Sequence, residues 1–402
     1  MEFEHSEQAR TVMAAVERFI REEVLPQEES YRDQLVASSD YREWKIPPVM
    51  EALKAKAKAL GLWNLFLPDA DLGAGLNNRD YSPVAELMGR SPIAPEVFNC
   101  SAPDTGNAEV LYRYGDDAQK EQWLMPLLEG DIRSGFAMTE PAVASSDATN
   151  MQATAELRGD EVVINGQKWW TSGVGDPRCK FLIFMGVTDP EAERHRRHSM
   201  VLVPMDAPGV RILRMVPVFG HMDEPHGHGE VLFDNVRLPK AAIIAGPGRG
   251  FEIAQGRLGP GRIHHCMRAI GASERALQRL CERSLGRIAF GKPLANLGGN
   301  RDIIANCRMA IDQARLLTLK AAWALDVHGT MAVLTDISAI KVIAPNVLQM
   351  VVDAAIQIHG GEGMADRELN WMMGMARALR IADGPDEVHR AMVARLELGK
   401  YQ

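Results

Sequence analysis

The residues 136–147, Phe-Ala-Met-Thr-Glu-Pro-Ala-Val-Ala-Ser-Ser-Asp, gather small and hydroxyl side chains in one short stretch. A planar redox ring such as a flavin needs an apolar slot and a few donors aimed at its oxygens and nitrogens. Backbone amides and Thr or Ser hydroxyls supply these without added charge. The same Ser and Pro residues also suit an ordinary connection between two regions, and both readings stay open. Further on, at 168–173, comes Lys-Trp-Trp-Thr-Ser-Gly. One indole there can stack on such a ring while Ser172 donates to it; the other reading puts both tryptophans in a β core. A third stretch, 380–390, reads Arg-Ile-Ala-Asp-Gly-Pro-Asp-Glu-Val-His-Arg. Taken alone, its Asp383 or Asp386 is a cap for a helix starting at Pro385.

Two glycine-rich spots, 246–250 and 360–363, lack the G-x-G-x-x-G spacing between a strand and a helix, so a Rossmann site is unsupported. Any dinucleotide must bind in another way. His221, His226 and His228 resemble a metal tract by composition, but the Pro and Gly among them indicate a loop, and their spacing fits no standard site; no metal is expected. His264 and His265 read as helix-start histidines, or as lining for a substrate cavity.

Three regions must position these residues. From 1 to 130 the apolar period is helical: Val12, Val16, Phe19, Ile20 and Val24 precede Pro26 as a stop, and Val49, Leu53, Ala57 and Leu60 end at Gly61. A loop is expected over 68–75. From 131 to 240 the period shortens to two, with Asn165-Gly166 as a strong hairpin-turn signal. A compact β-barrel or sandwich follows. From 241 to 402 long helical stripes return, among them Ile303, Cys307, Ala310, Ala314, Leu317, Ala321 and Leu325. Their apolar character on more than one face points to a four-helix bundle buried by oligomerisation. The fold class is therefore α+β multidomain: an N-terminal all-α domain, a middle β-barrel domain and a C-terminal helical bundle.

Bulk properties narrow the function. The 402 residues carry 45 basic and 53 acidic side chains, a formal charge of −8, which disfavours nucleic acid as a main partner. The basic run 194–198 reads as a solvated hairpin tip. Five cysteines without a CxxC pair fit a reducing compartment, cytoplasmic or an organelle matrix. The start, Met1 to His5, is acidic and shows no secretory signal. The apolar stretch 337–358 contains Lys341, Asn346, Gln349, Asp353 and Pro345, and reads as a buried helix rather than a membrane span.

Taken together and in this order, four stretches resemble the acyl-CoA dehydrogenase family. They are Met-Thr-Glu-Pro leading to Ser-Asp at 138–147, Gly-Gln-Lys-Trp-Trp at 166–170, Arg-Ile-Ala-Phe-Gly-Lys at 287–292 and Gln-Ile-His-Gly-Gly-Glu-Gly at 357–363. The resemblance runs from about residue 110 onward and agrees with the α, β, α order. It implies bound FAD, with Phe136 among the cofactor-binding residues, Met138, Thr139, Trp170 and Ser172 at the isoalloxazine ring and Ser146 near the pyrophosphate or the substrate. Arg287, Phe290, Gln357, Gly360 and Gly361 would reach the ADP half of an FAD held by a neighbouring subunit. A homodimer or homotetramer is thereby implied. Glycine amides forming an anion nest and a fixed guanidinium charge suit that role.

The resemblance also makes Asp383 the catalytic base, although the family usually has Glu there. The segment between Gly363 and Asp383 is about one residue shorter than the family pattern. Arg262 matches a family arginine that orients the base loop or forms a packed ion pair. The implied reaction removes the α proton of an acyl-CoA thioester while hydride leaves Cβ. Its carbonyl is stabilised by the backbone N–H of the base residue and a flavin hydroxyl. A closed apolar pocket around Asp383 is expected, and electron-transfer flavoprotein is the expected acceptor. The surrounding sequence is similar to the branch fused in animals to a kinase-like domain, linked with long-chain and 4-hydroxyacyl-CoA substrates. Alternatives are a flavin oxidase of the same fold, nitroalkane oxidase-like or acyl-CoA oxidase, and a non-catalytic helical scaffold.

Overall fold

The computed structural model describes residues 4–402, without the side chains of 258–260; Met1, Glu2 and Phe3 of the start considered above lie outside it. Helix α1 (Glu7–Phe19) begins where the Ser6 hydroxyl accepts from the N–H of Ala9 at 3.1 Å, and it buries Val16 and Phe19. Pro26 does not stop it. The chain widens into a π turn at Ile20–Val24 and tightens into a 3₁₀ turn at Leu25–Gln27. It then stays helical to Gln34. The changed hydrogen-bond register absorbs the donor that proline lacks. Helix α2 (Pro48–Ala59) ends at Gly61, whose φ of 70° only glycine takes without strain. The loop at 68–75 is organised by Asp69 Oδ1, which accepts from the N–H groups of Asp71 and Leu72, each at 2.9 Å.

By packing, the chain divides into two compact units, each assembled from separated stretches. The first comprises Met1–Glu28, Pro68–Pro95 and Gly259–Gln402. In it α1 packs on helix α3 (Asn78–Gly89), and α3 packs on the later helix Asn300–His328. The second comprises Glu29–Leu67 and Glu96–Leu258, with helix α4 (Asp104–Tyr114) and a seven-stranded mixed sheet.

The strands are β1 (Arg133–Ala137), β2 (Thr154–Arg158), β3 (Glu161–Ser172), β4 (Cys179–Val187), β5 (His198–Pro204), β6 (Val210–Met215) and β7 (His228–Pro239). They follow the order β1-β4-β2-β3-β7-β6, with β5 on β4. The apolar face of this sheet buries Val162, Ile164, Leu182, Phe184, Val201, Val231 and Phe233. Asn165-Gly166 is not the expected turn. The β2–β3 hairpin closes at Gly159-Asp160, and β3 runs straight through Asn165 and Gly166 with a shift of register against β7. Gly166 (φ 140°) is required because a Cβ there would stand 2.5 Å from that of Ala153. Asn165 meanwhile accepts from the N–H of Asn235 at 2.8 Å. The signal marks a bulge. Residues 194–197 do form an exposed tip between β4 and β5, but His198 is buried inside β5.

The remaining helices are α5 (Gly250–Gly286), α6 (Asn300–His328), α7 (Leu334–His359), α8 (Arg367–Leu379) and α9 (Asp386–Leu398). Helix α7 packs on α6, α8 and α9. The span Thr330–His359 is long and apolar enough to cross a membrane by length and composition, a test that bundle-core helices also pass. Helices α3 and α5 touch backbone to backbone. A Cβ on Gly271 would lie 1.9 Å from the carbonyl oxygen of Glu86, and one on Gly89 would lie 2.1 Å from that of Arg268. Arg315 of α6 ties the same helices by pairing with Glu86 and Glu274.

In the second unit a buried charge network stands beside the apolar core. Arg133 pairs with Glu96 at 2.8 Å and Asp104 at 2.7 Å; Arg178 pairs with Glu96 and Asp176, both at 2.8 Å. His226 bridges Glu96 through Nε2 and Asp176 through Nδ1, each at 2.9 Å. Burial disfavours the imidazolium, yet the Glu96 charge and the Asp176 contact overcome it and raise the His226 pKa to about 9. For Glu96, burial is outweighed by Arg133, His226 and Arg178, which hold its carboxyl well below the usual range.

Two predictions follow from these contacts. The stabilisation from protonated His226 is complete below about pH 6.5 and is lost as pH rises through about 9, at roughly 1 kcal/mol per pH unit between them. Thermal melting from pH 6 to 10 should therefore fall more steeply for the natural chain than for His226→Gln; parallel curves would contradict the assignment. Gly271→Ala should cost about 1–3 kcal/mol of stability, read by urea unfolding, because helices α3 and α5 must part.

Candidate active site

In the second unit, β1 and β3 carry or adjoin most of the residues expected at the ring. The carbonyl of Thr139 accepts from the N–H of Trp169 at 2.9 Å, and the Lys168 ammonium donates to the carbonyl of Met138 at 2.8 Å. Lys168 is fully buried and pairs with Glu140 at 2.7 Å. Glu140 in turn accepts from the N–H groups of Gln152 and Ala153. Burial pushes the Lys168 ammonium down to about 8 against the pull of Glu140. This pair was not singled out from sequence. A Lys in the middle of an alternating strand, level with Glu140 of the small-residue stretch, is the signal that could have found it.

Trp170 sits where β3 shifts register a second time, with φ at 51°, and its indole is 38% exposed. Its ring centroid lies 5.6 Å from that of His228. The Ser172 hydroxyl bonds Nδ1 of the same His228 at 2.8 Å. Trp169, by contrast, has an indole N–H that is buried and lacks a hydrogen-bond partner. Phe136 of β1 lies under the Arg257 guanidinium at 4.1 Å. Ser146 stands exposed in the loop beyond this group, and it is Ser145 whose hydroxyl is built in, accepting from the N–H of Glu140 at 2.8 Å. An exposed indole beside half-buried Met138 and Thr139 offers a face for a planar apolar ring, so these residues fit a flavin.

Three histidines once read together as a loop are dispersed in role. His226 serves the buried charge network and His228 serves Ser172. Among the described residues, no group of three or more His, Cys, Asp or Glu side chains is arranged to hold a metal ion.

The first unit carries the other candidates in two places. An open cleft of about 430 Å³ is lined by Arg279, Glu282, Arg283, Gly286, Arg287 and His359. Gly360 follows His359 with φ 65° and ψ −138°, a conformation essentially reserved for glycine, and Gly361 opens a short helix. Arg279 pairs with Asp366 and Glu368 and Arg283 with Glu362, so it is exposed Arg287, with the glycine turn, that suits an anionic group such as a pyrophosphate. Phe290, almost fully exposed at a hairpin tip, and exposed Gln357 are not among the residues lining this cleft.

The second place is the loop ahead of α9. Asp386, not Asp383, is its structural carboxylate: it is buried and accepts from Arg380 at 2.9 Å and Asn346 at 3.1 Å. Pro385 caps α9 without any side-chain bond, so neither aspartate is the expected cap. Asp383 adopts φ 56°, and Gly384 follows at φ 102°, where a Cβ would lie 2.8 Å from Nε2 of His389. Three cationic or imidazole groups hold this backbone. Arg262 donates to the carbonyl of Asp383 through Nε at 3.2 Å and Nη2 at 3.0 Å, and His389 Nε2 meets the same oxygen at 3.2 Å. Lys341 donates to the carbonyls of Leu379 and Gly384. Of the two roles open to Arg262, the contact is that of a loop-orienting group on a backbone oxygen.

The Asp383 side chain is thereby left a quarter exposed, with Oδ2 3.6 Å from Nε2 of His265. An imidazole thus stands near this carboxylate, while Arg262, His389 and Lys341 hold backbone carbonyls of the loop. His264 and His265 lie well inside α5, not at its start; His264 is buried against Tyr81, ring centroids 4.7 Å apart. His265, His389 and Lys341 were missed as partners of this loop. Lys341, a lone cation in an apolar stretch, was the most visible of them.

Comparison with known proteins agrees with this layout. Three family models match: the acyl-CoA dehydrogenase N-terminal domain over 6–131, the middle domain over 135–236 and the C-terminal domain over 248–398. The chain is 51% identical over 402 residues to FadE2 of Mycobacterium tuberculosis, covering 98% of that protein. It is 56% identical over 388 residues to acyl-CoA dehydrogenase family member 10 of Mus musculus, and 52% identical over 400 residues to family member 11 of Gallus gallus. It spans only 36% and 51% of the lengths of these two animal relatives. A structure assigned to the acyl-CoA dehydrogenases, from Mycobacterium abscessus, superposes with a TM-score of 0.97 at 62% identity, over the whole of both chains. Butyryl-CoA dehydrogenase from Megasphaera elsdenii shares the fold, with a TM-score of 0.81 at 24% identity over 99% of this chain. The chain belongs to the acyl-CoA dehydrogenase family, a family of FAD-binding oxidoreductases.

Proposed function

We propose that this chain oxidises an acyl-CoA thioester to the trans-2-enoyl-CoA, with Asp383 as the base. The observation that carries the reading is the construction of the Asp383 loop. Its backbone is fixed by Arg262, His389 and Lys341, while its carboxylate is committed to no cap and stays partly exposed. Asp386 takes the structural duties that a carboxylate in such a loop would otherwise have. A group held so that its main chain is rigid and its side chain accessible is placed for proton abstraction.

Bound FAD would supply the acceptor for the hydride from Cβ. Met138, Thr139, Trp170 and Ser172 would hold its ring, and the arginine cleft with Gly360 and Gly361 would hold the ADP half contributed from a neighbouring copy in a homo-oligomer. Asp383 takes the α proton, and in the family pattern its backbone N–H donates to the thioester carbonyl, stabilising the charge that develops there. Electron-transfer flavoprotein is the proposed acceptor, and a reducing cytoplasmic or matrix compartment the proposed setting.

Asp383→Asn should leave yellow, FAD-loaded protein whose anaerobic bleaching by a panel of acyl-CoAs is slowed at least about 10²–10⁴-fold. Bleaching at the unaltered rate would remove Asp383 from the mechanism. Arg287→Ala should weaken FAD retention about tenfold, measured by flavin release on dilution, with melting of the apoprotein unchanged because Arg287 is exposed.

A further inference from the structure

Helix α5 carries a second line of contacts toward Asp383 that differs from the backbone anchors. The Arg268 guanidinium donates through Nη2 to Nδ1 of His265 at 3.1 Å. A guanidinium has donors and no acceptor, so Nδ1 must present its lone pair, and the proton of the neutral ring resides on Nε2. That Nε2 faces Oδ2 of Asp383 at 3.6 Å. The separation exceeds a hydrogen bond, but a small rotation of either side chain closes it, and such contacts tighten when substrate is in place. Both side chains are a quarter exposed, so neither is locked by surrounding core.

We infer that His265 is a positioning residue for the carboxylate of Asp383. Its Nε2–H orients Oδ2, and Arg268 keeps the ring in the tautomer that can donate. The arrangement also excludes His265 as a competing base, because its one lone pair is already engaged by Arg268. The division of labour is by atom: Arg262 and His389 hold the carbonyl of Asp383, and His265 meets its side chain. The inference rests on the proposed role of Asp383 as base.

The test uses FAD-loaded enzyme, bleached anaerobically by acyl-CoAs and followed by stopped flow. His265→Ala should slow bleaching about 10²-fold, with flavin content and half-saturating acyl-CoA unchanged. His265→Gln, whose amide nitrogen reaches the position of Nε2, should recover most of that rate. Arg268→Met should slow the natural enzyme, yet slow the His265→Gln background far less, since an amide has no tautomer to be held. Normal bleaching by His265→Ala, or His265→Gln as slow as His265→Ala, would overturn the inference. Asp383→Asn in the same series separates the two ideas. If that variant is inert while His265→Ala is normal, only the positioning role falls; if it bleaches normally, the base assignment itself falls.

Discussion

The candidate site depends on one constraint: a short carboxylate must be delivered from a left-handed backbone position and held there. Asp383 at φ 56° costs energy that only its surroundings can offset. The protein supplies that offset with donors aimed at main-chain oxygens, not at the carboxylate. Arg262 and His389 share the carbonyl of Asp383, Lys341 reaches those of Leu379 and Gly384, and Gly384 is the residue that lets His389 come close enough. Burying such groups would be costly if they were unpaired. Each buried donor is matched to a carbonyl, and the charge thereby collected stays beside the carboxylate.

The same economy appears in the sheet. Lys168 and Glu140 are buried as a pair and use their remaining valences on the carbonyl of Met138 and the amides of Gln152 and Ala153. The pair ties the small-residue stretch to the tryptophan strand, so the two segments with the greatest chemical promise are fixed to each other by polar contacts. An apolar clamp would have held them as firmly but would not have specified which backbone groups meet.

Much of this was legible in advance, because it depends on residue type and order. The α, β, α succession follows from hydrophobic period, and the family follows from motifs in register. What escaped was three-dimensional pairing. Asn165-Gly166 carries the chemistry of a turn, yet the crowding of Ala153 against Gly166 makes it a bulge. Pro26 reads as a helix end, yet a π turn and a 3₁₀ turn carry the helix past it. His265 and His389 are ordinary helix residues by sequence, and their meaning comes only from the loop they face. Arg262 and Lys341 reach the Asp383 loop from far along the chain, and such pairings cannot be seen in a linear string.

The discontinuous make-up of the first unit has a consequence for biosynthesis. Helices α1 and α3 emerge from the ribosome early, but α3 finds its partner α6 only after about residue 300 has been made. The stretches forming the second unit are complete by Leu258. The sheet unit can therefore close during translation, while the opening helices wait, apolar faces uncovered, for the last third of the chain. Until α6 has been made, α3 keeps an uncovered face open to aggregation and chaperone capture.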